Sequence, residues 1–242
     1  MIKRLWSAPK PALLLSRISA FVVAALAMTV NAVPSHAVTP TAGPAPAACT
    51  GYVGLTYDDG PNPSSTRQLL AALQAAGAKA TFFMMGSHEQ QYPDLVRAVQ
   101  AAGMPIGNHT WSHPHLTQLP QSTVYQEISQ TQQVTQQLTG SRPTLFRPPY
   151  GETNATVAST ASGLGLAQVL WSVDSQDWNG ASTAQIVQAA SRLQAGGIIL
   201  MHDGGYQSTV NAVPQIVSAL ASRGLCPGRI VSSNGQPVVV AP

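Results

Sequence analysis

Six short apolar runs, each bounded by Gly, Pro or polar residues and spaced by helix-length segments, constrain this chain more than any other feature. Residues 53–57, 80–84, 104–107, 145–147, 167–171 and 198–201 are too brief for helices and read as buried strands. Between them, 64–76, 92–102, 123–139, 155–162 and 183–193 read as helices. Several open on Ser, Thr or Asn, and Gly77, Gly103, Gly140, Gly163 and Gly196 follow as stops. This alternation predicts a parallel sheet with helices outside, either an open doubly wound sheet or a β/α barrel.

The reactive residues fall just past the strand ends. Asp58 and Asp59 follow the first strand, His109 and His113 the third, Arg147 to Tyr150 the fourth, Asp174 to Trp178 the fifth, and His202 and Asp203 the last. In parallel α/β architectures the C-terminal ends of the strands share one face, so these residues are expected in one cleft. Of only 9 acidic residues in the chain, Asp58, Asp59, Asp174, Asp177 and Asp203 lie at these ends.

The first 37 residues have the layout of an export signal. Lys3, Arg4, Lys10 and Arg17 make a basic start, 18–30 is an apolar run too short to span a bilayer comfortably, and Ser35-His36-Ala37 fits a small-x-small cleavage site. Cleavage is expected after Ala37, with Ala32 the alternative. The leader carries a third of the basic residues, so the 12 basic residues fall to 8 against 9 acidic ones in the mature chain. No Lys/Arg cluster remains to track a phosphate backbone, which argues against nucleic acid as a partner. Residues 38–48, rich in Pro, Ala and Thr, read as a disordered lead-in, and 49–242 as one domain. Cys49 and Cys226, the only cysteines, sit at the two ends of that domain and are expected to pair in an oxidising, extracellular place.

His109 and His113 are four residues apart, a spacing that predicts two imidazoles on one side of a helical turn, both in reach of one ion. Alone this pattern is weak. A carboxylate from Asp58-Asp59 completes a two-His, one-carboxylate set of the kind that leaves positions open for water and substrate. Adjacent carboxylates diverge, so one can ligate while the other acts as a base, although Asp, Gly and Pro in 56–61 also suit a plain turn. His202 can be read as a third ligand, a core histidine or a general acid; its ordinary pKa of about 6.5 suits proton transfer, and Asp177 as partner to its other nitrogen favours the acid.

Taken together, Thr56-Tyr57-Asp58-Asp59-Gly60-Pro61, His109-x-x-x-His113, Arg147-Pro148-Pro149-Tyr150, Asp174-x-x-Asp177-Trp178 and Leu200-Met201-His202 resemble the five ordered motifs of the NodB-homology polysaccharide deacetylases, carbohydrate esterase family 4. Residues 146–156 and 174–179 are further similar to the secreted bacterial acetylxylan esterases of that family. The resemblance implies a distorted, incomplete (β/α) barrel. It implies Asp59, His109 and His113 as ligands of a divalent metal, zinc or cobalt, and Asp58 as general base oriented by Arg147. It implies the Tyr150 backbone N–H as an oxyanion donor, His202 as the acid tuned by Asp177, and Trp178 and Leu200 as walls for the acetyl methyl. Tyr57 stands where Phe is common, a conservative change. The expected function is deacetylation of a carbohydrate polymer by a secreted monomer, with O-acetyl esters of xylan as substrate. An N-deacetylase of chitin oligosaccharides or peptidoglycan is the runner-up, and a non-catalytic sugar-binding barrel the rival from another class.

Overall fold

The first apolar run forms β1, Gly51–Asp58, and six further strands assemble on it: β2 Thr81–Met84, β3 Ile106–Asn108, β4 Leu145–Phe146, β5 Ala167–Gln168, β6 Val173–Asp174 and β7 Ile198–His202. The computed structural model describes residues 49–242, so the expected leader (1–37) and lead-in (38–48) lie outside the described residues. The hydrogen-bonded order is β5-β4-β3-β2-β1-β7-β6, and every pairing along it is parallel.

That order decides between the two architectures. Seven strands laid flat would separate β5 from β6 by about 29 Å. The chain joins Gln168 to Val173 through residues 169–172 alone, a link that reaches at most about 18 Å. The sheet therefore curls until its ends nearly meet, giving a β/α barrel left open between β5 and β6. Side-chain alternation on β1 fits this curvature. Val53, Leu55 and Tyr57 are fully buried in the layer shared with the helices, where they join Leu69, Leu73, Val213 and Ile216. On the opposite face Thr56 and Asp58 point into the barrel, which is filled by Phe83, Leu145, Val169, Ile230 and the fully buried Arg147. Gly107 is required there, because a Cβ at that position would lie 2.5 Å from Phe83 Cδ1.

The helices are α1 Thr66–Ala75, α2 Gly86–Gln91, α3 Pro93–Ala101, α4 Gln121–Thr139, α5 Ala155–Gly163, α6 Thr183–Ala190 and α7 Gln207–Ala221. Caps explain several boundaries: Asn154 accepts from Val157 N at the start of α5, Ser182 and Gln185 form a capping box on α6, and Gly140 closes α4 in the left-handed region. Gly163 is not a stop, since it is the last residue of α5, and Gly165 at φ +77° makes the turn instead. The strand expected over 167–171 ends at Gln168. Leu170 is 41% exposed, and Asp174 ends a separate strand, β6. Two helices go beyond the apolar pattern. The short α2 carries few apolar residues, and α7 contains Pro214, although Val210, Val213, Ile216 and Leu220 supply a buried stripe. A hairpin, β8 Leu225–Ser233 with β9 Gln236–Val240, closes the base. Its Asn234-Gly235 turn, with φ +51° and +74°, is a hairpin signal present in the sequence. Cys49 and Cys226 are disulfide-bonded across 177 residues, next to the pairing of β1 with β8.

Glu89 on α2 is fully buried against α4, where both its oxygens face the Thr135 hydroxyl at 3.0 and 2.8 Å. That hydroxyl has one proton and also lies 2.8 Å from the Thr131 carbonyl. A neutral Glu89 satisfies all three groups, donating to Thr135, which donates onward to Thr131. Burial accordingly pushes the Glu89 carboxyl up to about 8 from 4.5, against a smaller lowering by Thr135. Between those values the native state holds a proton that the unfolded chain has lost, so this group makes stability fall as pH rises. Glu89→Gln should therefore flatten the pH dependence of the melting temperature between about pH 5 and 8. It should melt above wild type at pH 8, as thermal denaturation across that range will read.

Candidate active site

β1 ends on Asp58, and the chain turns at Asp59 with φ +70°, a left-handed conformation that Asp tolerates better than most residues. The turn sends the two carboxylates apart. Asp58 Oδ1 accepts from Arg147 Nη1 at 2.7 Å, while Oδ2 lies 3.7 Å from His109 Nε2. Asp59 Oδ1 lies 3.4 Å from His109 Nε2 and 3.5 Å from His113 Nε2.

The histidines are placed by a loop, not by the helical turn expected from their spacing. Residues 109–113 are irregular, with Thr110 at φ +65° and His113 at φ +60°. The loop is anchored at several points. Asn108 accepts from Thr110 N and donates to Ile128 O, Thr110 Oγ1 accepts from His113 N, and the Glu127 carboxylate accepts from Trp111 N, Ser112 N and Ser112 Oγ. His109 Nδ1 donates to the Arg147 carbonyl at 2.7 Å, which leaves the lone pair on Nε2 facing Asp59.

Asp59 Oδ1 is buried and receives no hydrogen bond from the described residues. One ligand atom from each of Asp59, His109 and His113 lies within 4.8 Å of the others. Donors around an ion held tetrahedrally at about 2.0–2.1 Å sit about 3.3 Å apart, so the separations of 3.4 and 3.5 Å fit a cation directly. Against the lowering effect of its burial, the two carboxylates raise the pKa of His109. Burial opposes ionisation of Asp59, but His109, His113 and His202 outweigh it and hold the carboxyl below its usual range. His113 is lowered by burial and by His109 beside it, which favours a free imidazole lone pair.

Arg147 follows β4 and is completely buried. It donates to Asp58, to Thr56 Oγ1 at 2.7 Å and to Val169 O at 3.2 Å, and its guanidinium lies 4.2 Å from the Phe83 ring centre. Burial lowers its pKa, opposed by Asp58. A buried cation so paired holds the carboxylate rigidly. Asp177 is likewise fully buried, with both oxygens engaged. Oδ1 accepts from His202 Nδ1 at 2.8 Å and Trp178 N at 2.9 Å, and Oδ2 accepts from His202 N and Thr209 Oγ1, each at 2.8 Å. His202 Nε2 is left to the cleft.

A cavity of about 360 Å³ opens over these groups, lined by Asp58, Asp59, His109, His113, Tyr150, Trp178, Leu200 and His202, with Pro148, Trp171 and Asp174 completing it. The ten residues expected as ligands, catalytic groups or pocket walls are thus at one site. Eight line the cavity, and Arg147 and Asp177 stand behind Asp58 and His202. Tyr150, at φ +59°, packs between His113 and His115, and Trp178 is half exposed at the rim. Asp174 accepts from Gln176 N and Nε2, a local turn contact. The sequence does not mark Trp171, which reads as part of a buried strand, nor Glu127, Asn108 and His88, each of which bonds at least one main-chain group 15 or more residues away. In the sequence Asp203 is marked only by its place at a strand end. It accepts from the Ser65 and Thr66 hydroxyls and donates its N–H to the Asp58 carbonyl, bracing the first turn.

A family model for polysaccharide deacetylases matches residues 46–169. A bifunctional xylanase/xylan deacetylase of Cellvibrio japonicus is 46% identical over 191 residues, which cover 78% of this chain and 29% of that one. The chain therefore spans less than a third of that relative. A chitooligosaccharide deacetylase of Rhizobium leguminosarum bv. trifolii is 37% identical over 70% of this chain and 86% of its own length. Among solved structures, a family 4 carbohydrate esterase from Streptomyces lividans in complex with acetate superposes with a TM-score of 0.77 at 53% identity, covering 81% of this chain and all of that one.

The His202 imidazole has a pKa lowered by burial but raised overall, first by its hydrogen bond to Asp177 and then by the charge of Asp58. Asp177→Asn removes the larger raising influence and leaves the burial. In metal-free protein the His202 ring should then lose its proton at a lower pH than in wild type, as an NMR titration of its Cε1–H will read; an unmoved midpoint contradicts the assignment.

Proposed function

Since the chain belongs to the polysaccharide deacetylase family, we propose that it is a metal-dependent hydrolase that removes acetyl groups from a carbohydrate polymer, with O-acetylated xylan as substrate. The observation that carries this reading is the meeting in one cavity of a three-donor cation site, the Arg147-held carboxylate of Asp58 and the Asp177-held imidazole of His202. The similarity to a xylan deacetylase and to an esterase solved with acetate supports the ester and the polymer.

A divalent cation at Asp59, His109 and His113, zinc or cobalt, would supply Lewis acidity to the acetyl carbonyl and lower the pKa of the attacking water. Asp58 takes the proton of that water through Oδ2, the oxygen that Arg147 leaves free. The Tyr150 backbone N–H donates to the oxyanion as the carbonyl carbon becomes tetrahedral. His202 then gives its Nε2 proton to the leaving sugar oxygen. The C–O bond breaks, and acetate and a free hydroxyl result. Asp177 fixes the ring and its tautomer throughout. Trp178 and Leu200, with Trp171, form the walls that receive the methyl group.

The basic, apolar leader and the paired Cys49 and Cys226 support export, with 49–242 as the catalytic domain acting outside the cell. A second reading, N-deacetylation of chitin oligosaccharides, is favoured by the chitooligosaccharide deacetylase that matches over most of its length.

Acetate release separates these readings. Acetylated xylan should be turned over faster than chitin oligosaccharides, a chelator should abolish release, and added zinc or cobalt should restore it. Asp58→Asn should lower kcat by about 10²–10⁴ while retaining the metal. Unchanged turnover by stripped protein rejects the metal-dependent mechanism, and a preference for the chitin substrate selects the second reading.

A further inference from the structure

The junction between β2 and α2, residues 84–88, lies between the loops that carry the carboxylate and the imidazoles, and it hydrogen-bonds both. Toward the histidines, Met84 O accepts from His109 N at 2.9 Å, Gly86 N donates to Thr110 O at 2.9 Å, and Ser87 N donates to Trp111 O at 3.1 Å. Toward the carboxylate, Met85 N donates to Gly60 O at 3.0 Å. These four contacts are main-chain to main-chain. The fifth comes from a side chain: His88 Nδ1 lies 2.8 Å from the carbonyl of Asp59. A carbonyl only accepts, so Nδ1 carries the proton.

This bond acts on Asp59, which with His113 is one of two residues of the triad in the left-handed region. Asp59 sits at φ +70°, outside the regions that a non-glycine residue adopts freely. The peptide before its Cα is pinned where Asp203 N donates to Asp58 O at 2.8 Å. The peptide after it is pinned by His88. With both planes held, φ and ψ of Asp59 are set, and so is the direction in which its Cβ projects Oδ1 toward His109 and His113.

We propose that His88 is a positioning residue for the cation site, which fixes ψ of Asp59 through the hydrogen bond from Nδ1 to the Asp59 carbonyl. The inference rests on the reading of Asp59, His109 and His113 as a cation site. It goes beyond that reading in assigning work to a histidine outside every motif that marked the site. His88 does not touch substrate or ion in this scheme, and its influence passes through the backbone of Asp59.

The test uses chelator-stripped full-length protein titrated with Co²⁺, its visible absorption followed in competition with a chromophoric chelator. Three proteins are compared: wild type, His88→Leu, which loses the donor, and His88→Asn, whose carboxamide N–H can occupy the place of Nδ1. His88→Leu should bind Co²⁺ about tenfold or more weakly, as loss of an outer-shell partner commonly does. Its visible band should be altered and its metal-free melting temperature unchanged. His88→Asn should recover most of the affinity and the wild-type band. If His88→Leu does not fold, His88→Ala set against His88→Asn makes the same comparison. Equal affinity and spectrum in wild type and the donor-less variant overturn the proposal, as does an equal loss in His88→Asn. Failure of wild type itself to take up Co²⁺ overturns instead the cation reading beneath it.

Discussion

A buried carboxylate oxygen that faces two imidazole nitrogens at 3.4 and 3.5 Å and receives no hydrogen bond from the described residues is costly unless a cation completes it. The rest of the site holds Asp59 in that arrangement. Asp203 and His88 pin the peptides on either side of it, Glu127 and Asn108 tie down the histidine loop, and the Arg147 carbonyl selects the tautomer of His109. Such density of outer-shell contact is what keeps a metal ligand set in one geometry.

Around this centre the charges are arranged in two mirrored units. Arg147 grips one oxygen of Asp58 and leaves the other for a proton, while Asp177 grips one nitrogen of His202 and leaves the other with a proton. The proposed base and acid, on register partners of adjacent strands, thus face one cavity, each oriented by a fully buried partner of opposite character. The open barrel makes this possible. It brings β1, β3, β4 and β7 into one curved sheet whose C-terminal ends surround the cavity, with the gap between β5 and β6 next to Trp171 and Trp178.

Much of this was legible in the sequence. Asp58, Arg147 and His202 follow short apolar runs, and in a parallel sheet that position alone implies a common face. The order of strands, and hence the choice of barrel over open sheet, rested on resemblance until the short link between β5 and β6 supplied a geometric reason. The helical turn expected for His109 and His113 was wrong because a spacing of four fits more than one conformation. The positive φ values of Thr110 and His113 depend on anchors from α4 that are remote in sequence. α7 was hidden by Pro214, which breaks the expected pattern although the apolar stripe continues past it. The β8–β9 hairpin did carry its Asn234-Gly235 signal and went unread. His88 could not have been found from local pattern, since its partner is a main-chain carbonyl 29 residues away.

The central claim is that Asp59, His109 and His113 together hold one divalent cation. Anomalous diffraction at the zinc edge from crystals grown with zinc measures this directly. One strong peak should lie within about 2.0–2.2 Å of Asp59 Oδ1, His109 Nε2 and His113 Nε2. A peak that omits any of the three, or none at this site, contradicts the account.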